Sequence, residues 1–172
     1  MAIDIVLVNP EIPQNTGNIA RTCVAIGAGL HLVEPLGFAI DDRRLKRAGL
    51  DYWFDLDPSL WASLDDLLRH TDSGKSIYYA TTKGGQVYSD VKYGPDVMLV
   101  FGSETRGLAE ELLLTRPERC LRIPMLAGRR SLNLANAVAV MAYEVLRQQG
   151  FPSLVRTGEL MPKSDEGRLR AT

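Results

Sequence analysis

The chain has 172 residues, of which 45% are hydrophobic and 24% are charged, a size and composition typical of one globular domain. Its formal net charge of −1 argues against a generic nucleic-acid coat protein, although it leaves room for a local basic patch. The sequence shows no apolar run long enough to span a bilayer, no signal peptide and no Cys-x-x-Cys pair, so we expect a cytoplasmic protein with no membrane segment, no bound metal and reduced thiols at Cys23 and Cys120.

Five short apolar runs alternate with helical patterns along the chain. Because this alternation is typical of βαβ units, it predicts an α/β fold with a mostly parallel sheet of five to six strands and helices on both faces. The predicted strands cover residues 3–8, 30–34, 76–82, 96–101 and 121–123. The predicted helices cover residues 19–26, 41–49, 63–69, 108–114 and 133–149. We expect residues 1–150 to form the domain and residues 151–172 to form a peripheral or partly disordered tail.

The first predicted strand is followed by a polar stretch, residues 9–18, that we expect to be a loop. It contains two prolines and the run Asn-Thr-Gly-Asn at 15–18. Ligands commonly bind where a strand ends and a helix begins in α/β sheets. Arg21 is the one charged residue of the apolar helix that follows. It lies either on an exposed stripe or in a site at this loop, and we favour the site.

The densest positive cluster of the chain lies in the predicted helix 41–49. Its four bases occupy five positions and comprise Arg43, Arg44, Lys46 and Arg47. The pattern fits a solvated helix with internal ion pairs, and it fits equally well a basic ridge that binds phosphates.

Three further loops, each after a predicted strand, carry glycines or small polar residues, at 82–85, 102–107 and 124–132. Glycines permit close backbone approach, but no loop matches the G-x-G-x-x-G or P-loop pattern. His31 and His70 fall in predicted elements and are expected to be structural, so a histidine-based mechanism is disfavoured. Trp53 and Trp61 are expected to pack in the core or at its edge.

The predicted helix 133–149 carries more apolar residues than one buried face requires. The main face includes Leu134, Ala137, Val138, Met141, Ala142, Val145 and Leu146. A second apolar set consists of Ala135, Ala139, Val140 and Tyr143. This pattern predicts two buried faces. Asn133 and Asn136 lie in the first turn, where short polar side chains can bond free backbone N–H groups.

Three segments taken together resemble the motifs of the SPOUT methyltransferases. They read N-T-G-N-I-A-R at 15–21, L-V-F-G-S-E-T-R-G-L at 99–108, and R-I-P-M with R-S-L-N-L-A-N-A-V within 122–138. Their order and spacing match over residues 3–150. The P-E-I-P-Q-N-T-G-N opening and the R-R-L-K-R-A-G-L-D-Y-W segment look most like the minimal TrmL-type tRNA 2′-O-methyltransferases. That type acts on the wobble cytidine or uridine, at tRNA position 34, in certain leucine tRNAs.

The resemblance implies a C-terminal trefoil knot, a rare exception to unknotted topology. It also implies that S-adenosylmethionine binds in the knot and leaves as S-adenosylhomocysteine. The residues expected to hold this cofactor are Ala80, Thr81, Gly102, Glu104, Gly107, Ile123, Met125, Ser131, Leu132 and Asn136. Ile123, Met125 and Leu132 would suit an adenine ring.

The same resemblance implies a homodimer formed through the first and last helices and a catalytic role for Arg21. Since a guanidinium almost never loses its proton, we expect Arg21 to orient a phosphate and stabilise a developing alkoxide. Asn15 and Glu104 are further catalytic candidates, and Glu104 either holds a loop through backbone amides or positions the substrate. Asn136 is expected to fix the knot, and Tyr143 either packs at the dimer interface or contacts RNA.

The expected partner is a tRNA anticodon stem-loop. Arg43, Arg44, Lys46, Arg47, Arg129 and Arg130 are the predicted phosphate contacts. Three alternatives remain open at this point: 2′-O-methylation of another tRNA or ribosomal RNA site, a knotted RNA-binding module without catalysis, and, remotely, a nucleotide-binding oxidoreductase.

Overall fold

The fold is an α/β sandwich around one parallel sheet. The computed structural model describes residues 2–39, 56–71 and 74–160, and elements are numbered here within those ranges. The strands are β1 Ala2–Val8, β2 Gly29–Val33, β3 Ser59–Trp61, β4 Ser76–Ala80, β5 Gln86–Val87, β6 Asp96–Phe101 and β7 Cys120–Arg122. Their order in the sheet is β3-β2-β1-β6-β4-β7-β5, and each neighbouring pair is parallel. The predicted fold class is confirmed.

Within the described ranges, four helices cover the two faces of this sheet. They are α1 Pro13–Ile26, α2 Leu64–His70, α3 Glu110–Thr115 and α4 Leu134–Gln148, with a 3-10 turn at Pro117–Arg119. Alternate residues of the strands point to opposite faces. On β1, Ile5 and Leu7 therefore join a core with α1 and α4, whereas Val6 joins a second core with α2 and α3. The predicted helices on both faces are thus confirmed.

The boundaries of the strands and helices differ from the predicted ones where the local sequence pattern is weakest. The sheet has seven strands instead of five to six, because β3 and β5, with three and two residues, are too short to show a period. Helix α1 begins at Pro13, so the prediction of a loop through residue 18 was wrong. Proline suits the first helical position because its missing N–H would be unpaired there.

Strand β7 lies between β4 and β5, although β4 and β5 are consecutive in the chain. The connection 81–85 passes directly over β7, since a Cβ on Gly84 would stand 2.7 Å from the carbonyl oxygen of Cys120. A later strand is therefore inserted beneath an earlier connection, which is an arrangement that a threaded C-terminal segment requires. The trefoil knot itself stays a prediction.

Several predicted features have structural partners outside the site. The Trp61 indole N–H donates to Nδ1 of His31 at 3.1 Å on the sheet edge, and Nδ1 of His70 lies 2.8 Å from the Asp66 carbonyl oxygen. Both cysteines are buried and free, and burial raises the pKa of the Cys23 thiol to about 12. In the tail, Phe151 and Leu154 pack against the α1–α4 core.

Some predictions fall on residues that the structure does not describe. The basic set Arg43, Arg44, Lys46 and Arg47, the helix predicted over 41–49, Trp53 and the tail from residue 161 all lie outside the described ranges. Within those ranges, no helix combines the length and apolar character needed to cross a membrane. The described His, Cys, Asp and Glu side chains form no group of three placed to hold a metal ion.

Asp4 of β1 joins three strands near their amino ends. Its carboxylate accepts a hydrogen bond from Nζ of Lys75, just before β4, and lies 3.6 Å from Nε2 of His31 on β2. Burial by itself would raise the pKa of this carboxyl, but hydrogen bonds and charges from His31 and Lys75 outweigh it and lower the pKa below the ordinary 3.8. The ionised form of Asp4 is therefore stabilised more strongly in the folded state than in the unfolded state.

We predict that Asp4→Asn weakens the acid dependence of stability. Because the folded pKa is depressed, Asp4 contributes stability above its unfolded pKa, and that contribution is lost as the pH falls through the folded value. The variant should lose about 1–3 kcal/mol of unfolding free energy at neutral pH and show a shallower fall below about pH 4. Urea unfolding across pH would measure both. The exposed carboxyl variant Asp90→Asn is the control, and an unchanged acid limb in Asp4→Asn would refute the assignment.

Candidate functional site

A cavity of about 840 Å³ opens at the carboxyl ends of β4, β6 and β7. Loops that follow these strands form its walls, and the start of α1 closes one side. Most of the predicted cofactor residues line it: Ala80, Thr81, Gly102, Glu104, Gly107, Ile123, Met125, Ser131 and Leu132, together with Asn15 and Arg130. The volume lies in the range of about 300–1,000 Å³ that small-molecule sites occupy.

The floor and one wall of the cavity are apolar. Leu121 and Met141 are fully buried beneath it, and Phe101 closes the end of β6. Ile123, Met125 and Leu132 come from the segment between β7 and α4, and Leu132 remains 41% exposed. Such a wall suits the flat apolar face of an organic ligand, while the strand ends supply backbone polar groups.

Gly102 allows the loop after β6 to fold back on itself. A Cβ at this position would stand 2.0 Å from the carbonyl carbon of Gly107 and 2.3 Å from the nitrogen of Leu108. Gly107 has a φ of +71°, in the left-handed region that favours glycine, and its N–H donates to the carbonyl of Ser103 at 2.9 Å. The hairpin-like turn therefore depends on glycine at both ends.

The Glu104 carboxylate sits at the start of α1. It accepts hydrogen bonds from the backbone N–H of Glu11 at 2.8 Å and of Ile12 at 3.3 Å. It also accepts one from the Asn15 side-chain amide at 2.9 Å. Two of these donors are backbone groups just before the first residue of α1 and the third is a side chain of its first turn, a place where negative charge is favoured. The contacts correspond to the loop-holding alternative for Glu104, because the protein itself occupies both carboxylate oxygens.

A relay of amides extends this contact to α4. Asn133 donates from its side-chain nitrogen to Oδ1 of Asn15 at 2.9 Å, and its own Oδ1 accepts the N–H groups of Ala135 and Asn136. Asn133 is thus the N-cap of α4 and a link to α1. Its place before a helical pattern signalled the cap, but the bond to Asn15 joins residues 118 positions apart and had no local signal.

The loop after β4 is held on both sides. Its Thr81 N–H donates to the Leu121 carbonyl at 2.9 Å, and the Arg122 guanidinium donates to the Thr82 carbonyl oxygen. Lys83, which lines the cavity, donates from Nζ to Glu110 of α3 at 2.8 Å, an exposed pair worth little stability. Three residues of this site were not predicted from the sequence: Ile12, Lys83 and Arg122.

Four of the predicted residues that the structure describes lie outside the cavity lining. Arg21 is exposed on α1, on a stripe that also carries Gln14, Asn18 and Ala25. Asn136 and Tyr143 lie on a matching exposed stripe of α4, where Tyr143 is 47% and Val140 is 36% exposed. The second apolar set on α4 is therefore only partly covered within one chain. Arg129 is exposed next to Arg130 but does not line the cavity.

Comparison with known proteins gives a consistent family match. The model of the SpoU rRNA Methylase family matches residues 2–143. The chain is 49% identical over 150 residues to the tRNA (cytidine(34)-2′-O)-methyltransferase of Aeromonas hydrophila, covering 87% of this chain and 96% of that protein. 

Solved structures agree with this match. One, described as giving insights into the 2-OH methylation of C/U34 on tRNA, has a TM-score of 0.81 at 44% identity and covers 87% of this chain and 97% of its own. AviRb of Streptomyces viridochromogenes, a SpoU methyltransferase solved in complex with the cofactor AdoMet, has a TM-score of 0.74 at 25% identity. It covers 86% of this chain and 60% of its own.

We predict that Gly102→Ala destabilises the protein, whereas Gly85→Ala does not. The new Cβ at 102 overlaps backbone atoms of residues 107 and 108, while nothing lies within 4 Å of a Cβ at 85. Overpacking of this kind costs about 1–3 kcal/mol, which lowers the melting temperature by roughly 2–10 °C in a chain of this size. Differential scanning calorimetry of both variants would measure it. Equal melting temperatures would contradict the close approach.

Proposed function

The chain belongs to the SpoU rRNA methylase family. We propose that it uses S-adenosylmethionine to methylate a 2′-hydroxyl in leucine tRNAs. The target is the wobble nucleotide at tRNA position 34, which is a cytidine or a modified uridine. The observation that carries the proposal is one cavity lined by residues from all three motifs. A relative 49% identical over most of the chain bears the name of this reaction. We further propose a cytoplasmic location, where its tRNA substrate would be found.

The residues of the cavity fit S-adenosylmethionine. Ile123, Met125 and Leu132 offer an apolar wall for the adenine ring. Gly102 lets the loop after β6 fold against residues 107 and 108, which forms another wall of the cavity. Glu104 contributes indirectly, since its oxygens hold the α1 amides and leave the ligand to backbone groups and to the hydroxyls of Thr81 and Ser131.

When bound, the cofactor supplies a methyl group on a positively charged sulfonium, open to in-line attack by a ribose oxygen. The protein must align that oxygen and manage one proton. We assign Arg21 the task of orienting the neighbouring phosphate and stabilising the developing alkoxide, because its guanidinium stays protonated and can donate two parallel hydrogen bonds. Asn15 is the residue that ties the helix of Arg21 to the cavity loop.

The proposal includes a homodimer built from α1 and α4. The two helices pack side by side. The exposed stripe of α4 carries Val140 and Tyr143, and that of α1 carries Asn18 and Ala25. A partner on this surface would cover the second apolar set of α4. Sedimentation of the purified protein as a monomer at micromolar concentration would contradict this assembly.

The direct test is methyl transfer to RNA. Purified protein, tritiated S-adenosylmethionine and total tRNA from a strain lacking the modification should yield label at position 34 of leucine tRNAs, mapped by nuclease digestion and mass spectrometry. Label at another tRNA or ribosomal nucleotide would replace the substrate assignment. Binding of S-adenosylhomocysteine without transfer to any RNA would indicate a non-catalytic module. Thermal stabilisation by NAD but not by S-adenosylhomocysteine would overturn the family chemistry altogether.

We predict different outcomes for two substitutions of Arg21. Arg21→Lys keeps the charge but loses the planar donor pair, so it should retain partial activity. Arg21→Ala should lose about 10²–10³-fold in kcat, as removal of an oxyanion donor does. Single-turnover methyl transfer with saturating tRNA would measure both, with the exposed Arg69→Ala on α2 as control. Equal and complete loss in both variants, with tRNA binding intact, would favour a role as base.

We predict that two sets of basic residues determine the salt dependence of tRNA binding. Replacing Arg43, Arg44, Lys46 and Arg47 together, or Arg129 and Arg130 together, should lower the slope of log K against log salt by roughly one per lost phosphate contact. Filter binding between low and moderate salt would give the slope. The pair Arg69→Gln and Arg116→Gln, exposed on α2 and at the end of α3, is the control. A slope unchanged by the quadruple substitution would exclude that ridge.

A further inference from the structure

Glu11 and Glu104 make reciprocal hydrogen bonds, in which each carboxylate accepts from the backbone of the other residue's segment. While Glu104 accepts the N–H of Glu11, the Glu11 carboxylate accepts the hydroxyl of Thr105 at 2.7 Å and the Thr105 N–H at 3.3 Å. Each acidic residue therefore binds the backbone of the segment that carries the other. We call these two reciprocal contacts the carboxylate clamp, formed by Glu11, Glu104 and Thr105.

The clamp holds two acidic groups together without a cation. Among the described residues, no lysine or arginine lies within 4 Å of either carboxylate. Their mutual repulsion is offset by hydrogen bonds from five donors: the N–H groups of Glu11, Ile12 and Thr105, the Asn15 amide and the Thr105 hydroxyl. Hydrogen bonds to a charged acceptor are stronger than those to a neutral one, so loss of any one of them loosens the contact.

The backbone of Glu11 also packs against the loop after β2. The loop after β2 brings Gly37 so close that a Cβ there would stand 2.7 Å from Cα of Glu11 and 2.9 Å from its carbonyl oxygen. The Gly37 N–H donates to the Pro10 carbonyl at 2.9 Å. The backbone of residues 10 and 11 is thus held between the loop after β2 and the loop after β6.

From this arrangement we propose that Glu11 is a positioning residue for methyl transfer: through Thr105 it fixes the start of α1, and with it Arg21, relative to the cavity. The inference rests on the proposed function. Helix α1 begins two residues after Glu11, and Ile12 between them lines the cavity. A helix is rigid over the roughly 12 Å between its first residue and Arg21, so a shift at its start moves the guanidinium.

Glu11 permits a cleaner test than Glu104, because every hydrogen bond that its side chain makes within the described part of the chain goes to Thr105. Glu11→Ala should lower kcat by about tenfold to a hundredfold, the effect expected of a misplacement near 1 Å, while the Kd for S-adenosylhomocysteine changes less than about threefold. Glu11→Gln should restore most of the rate, since its amide oxygen can accept the Thr105 N–H and its amide nitrogen can donate to the hydroxyl. A Gln variant as slow as the Ala variant would overturn the clamp in favour of a role for the charge.

Thr105 supplies the matched partner. Thr105→Val removes the hydroxyl but keeps the shape, and Thr105→Ser keeps the hydroxyl. We expect loss in the first, near-normal kcat in the second, and no added loss when Thr105→Val is combined with Glu11→Ala, because both remove the same contact. Additive losses would overturn the pairing. Glu111→Ala, an exposed acid on α3, is the control for removal of charge.

A second readout separates this inference from the proposed function. Hydrogen exchange of backbone amides in residues 11–16 and 103–107 should be faster in Glu11→Ala and normal in Glu11→Gln, with or without activity. If the wild-type protein transfers no methyl group, the proposed function fails, and the exchange result alone decides whether the clamp exists. Unchanged exchange in Glu11→Ala, or unchanged kcat in an active wild-type background, would overturn it.

Discussion

The arrangement of the site depends on the hydrogen bonds that the Glu104 carboxylate accepts at the start of α1. Ile12, the N-cap of that helix, makes no side-chain cap, and the N–H groups of Ile12 and of Glu11 before it donate to this carboxylate from the loop after β6. The same carboxylate binds Asn15, which binds Asn133 at the start of α4. Both helices on one face of the sheet are therefore anchored to a single loop, and the cavity between them keeps its shape because that loop cannot move independently.

Backbone packing at glycines makes this anchoring possible. Gly102 lets the loop after β6 fold against residues 107 and 108, and Gly84 lets the connection after β4 cross β7. In both places a side chain would collide with backbone atoms, which cannot rotate away as a flexible side chain can. The walls of the cavity are consequently formed largely by main chain, with few charged side chains, and this suits recognition of a ligand by shape and backbone hydrogen bonds.

The proposed chemistry divides between two surfaces. The cavity at the strand ends suits the cofactor, whereas Arg21 lies on the exposed stripe of α1, beside the partly uncovered stripe of α4. A methyl transfer that uses both requires the helix of Arg21 to be held at a defined place relative to the loops, which is the role inferred for Glu11 and Thr105.

Local pattern determined much of this protein. Apolar runs marked β1 and β6 almost to the residue, and glycines or small polar residues marked the three loops after strands that line the cavity. The family motifs added the cofactor and the expected reaction. Tertiary structure alone decided that α1 starts at Pro13, that β7 enters between β4 and β5, and that Glu104 and Asn133 tie the two helices together. The reason is range: periodicity and capping act over a few neighbouring residues, whereas these contacts join groups about 90 to 120 positions apart, whose partners are defined only once the sheet has formed.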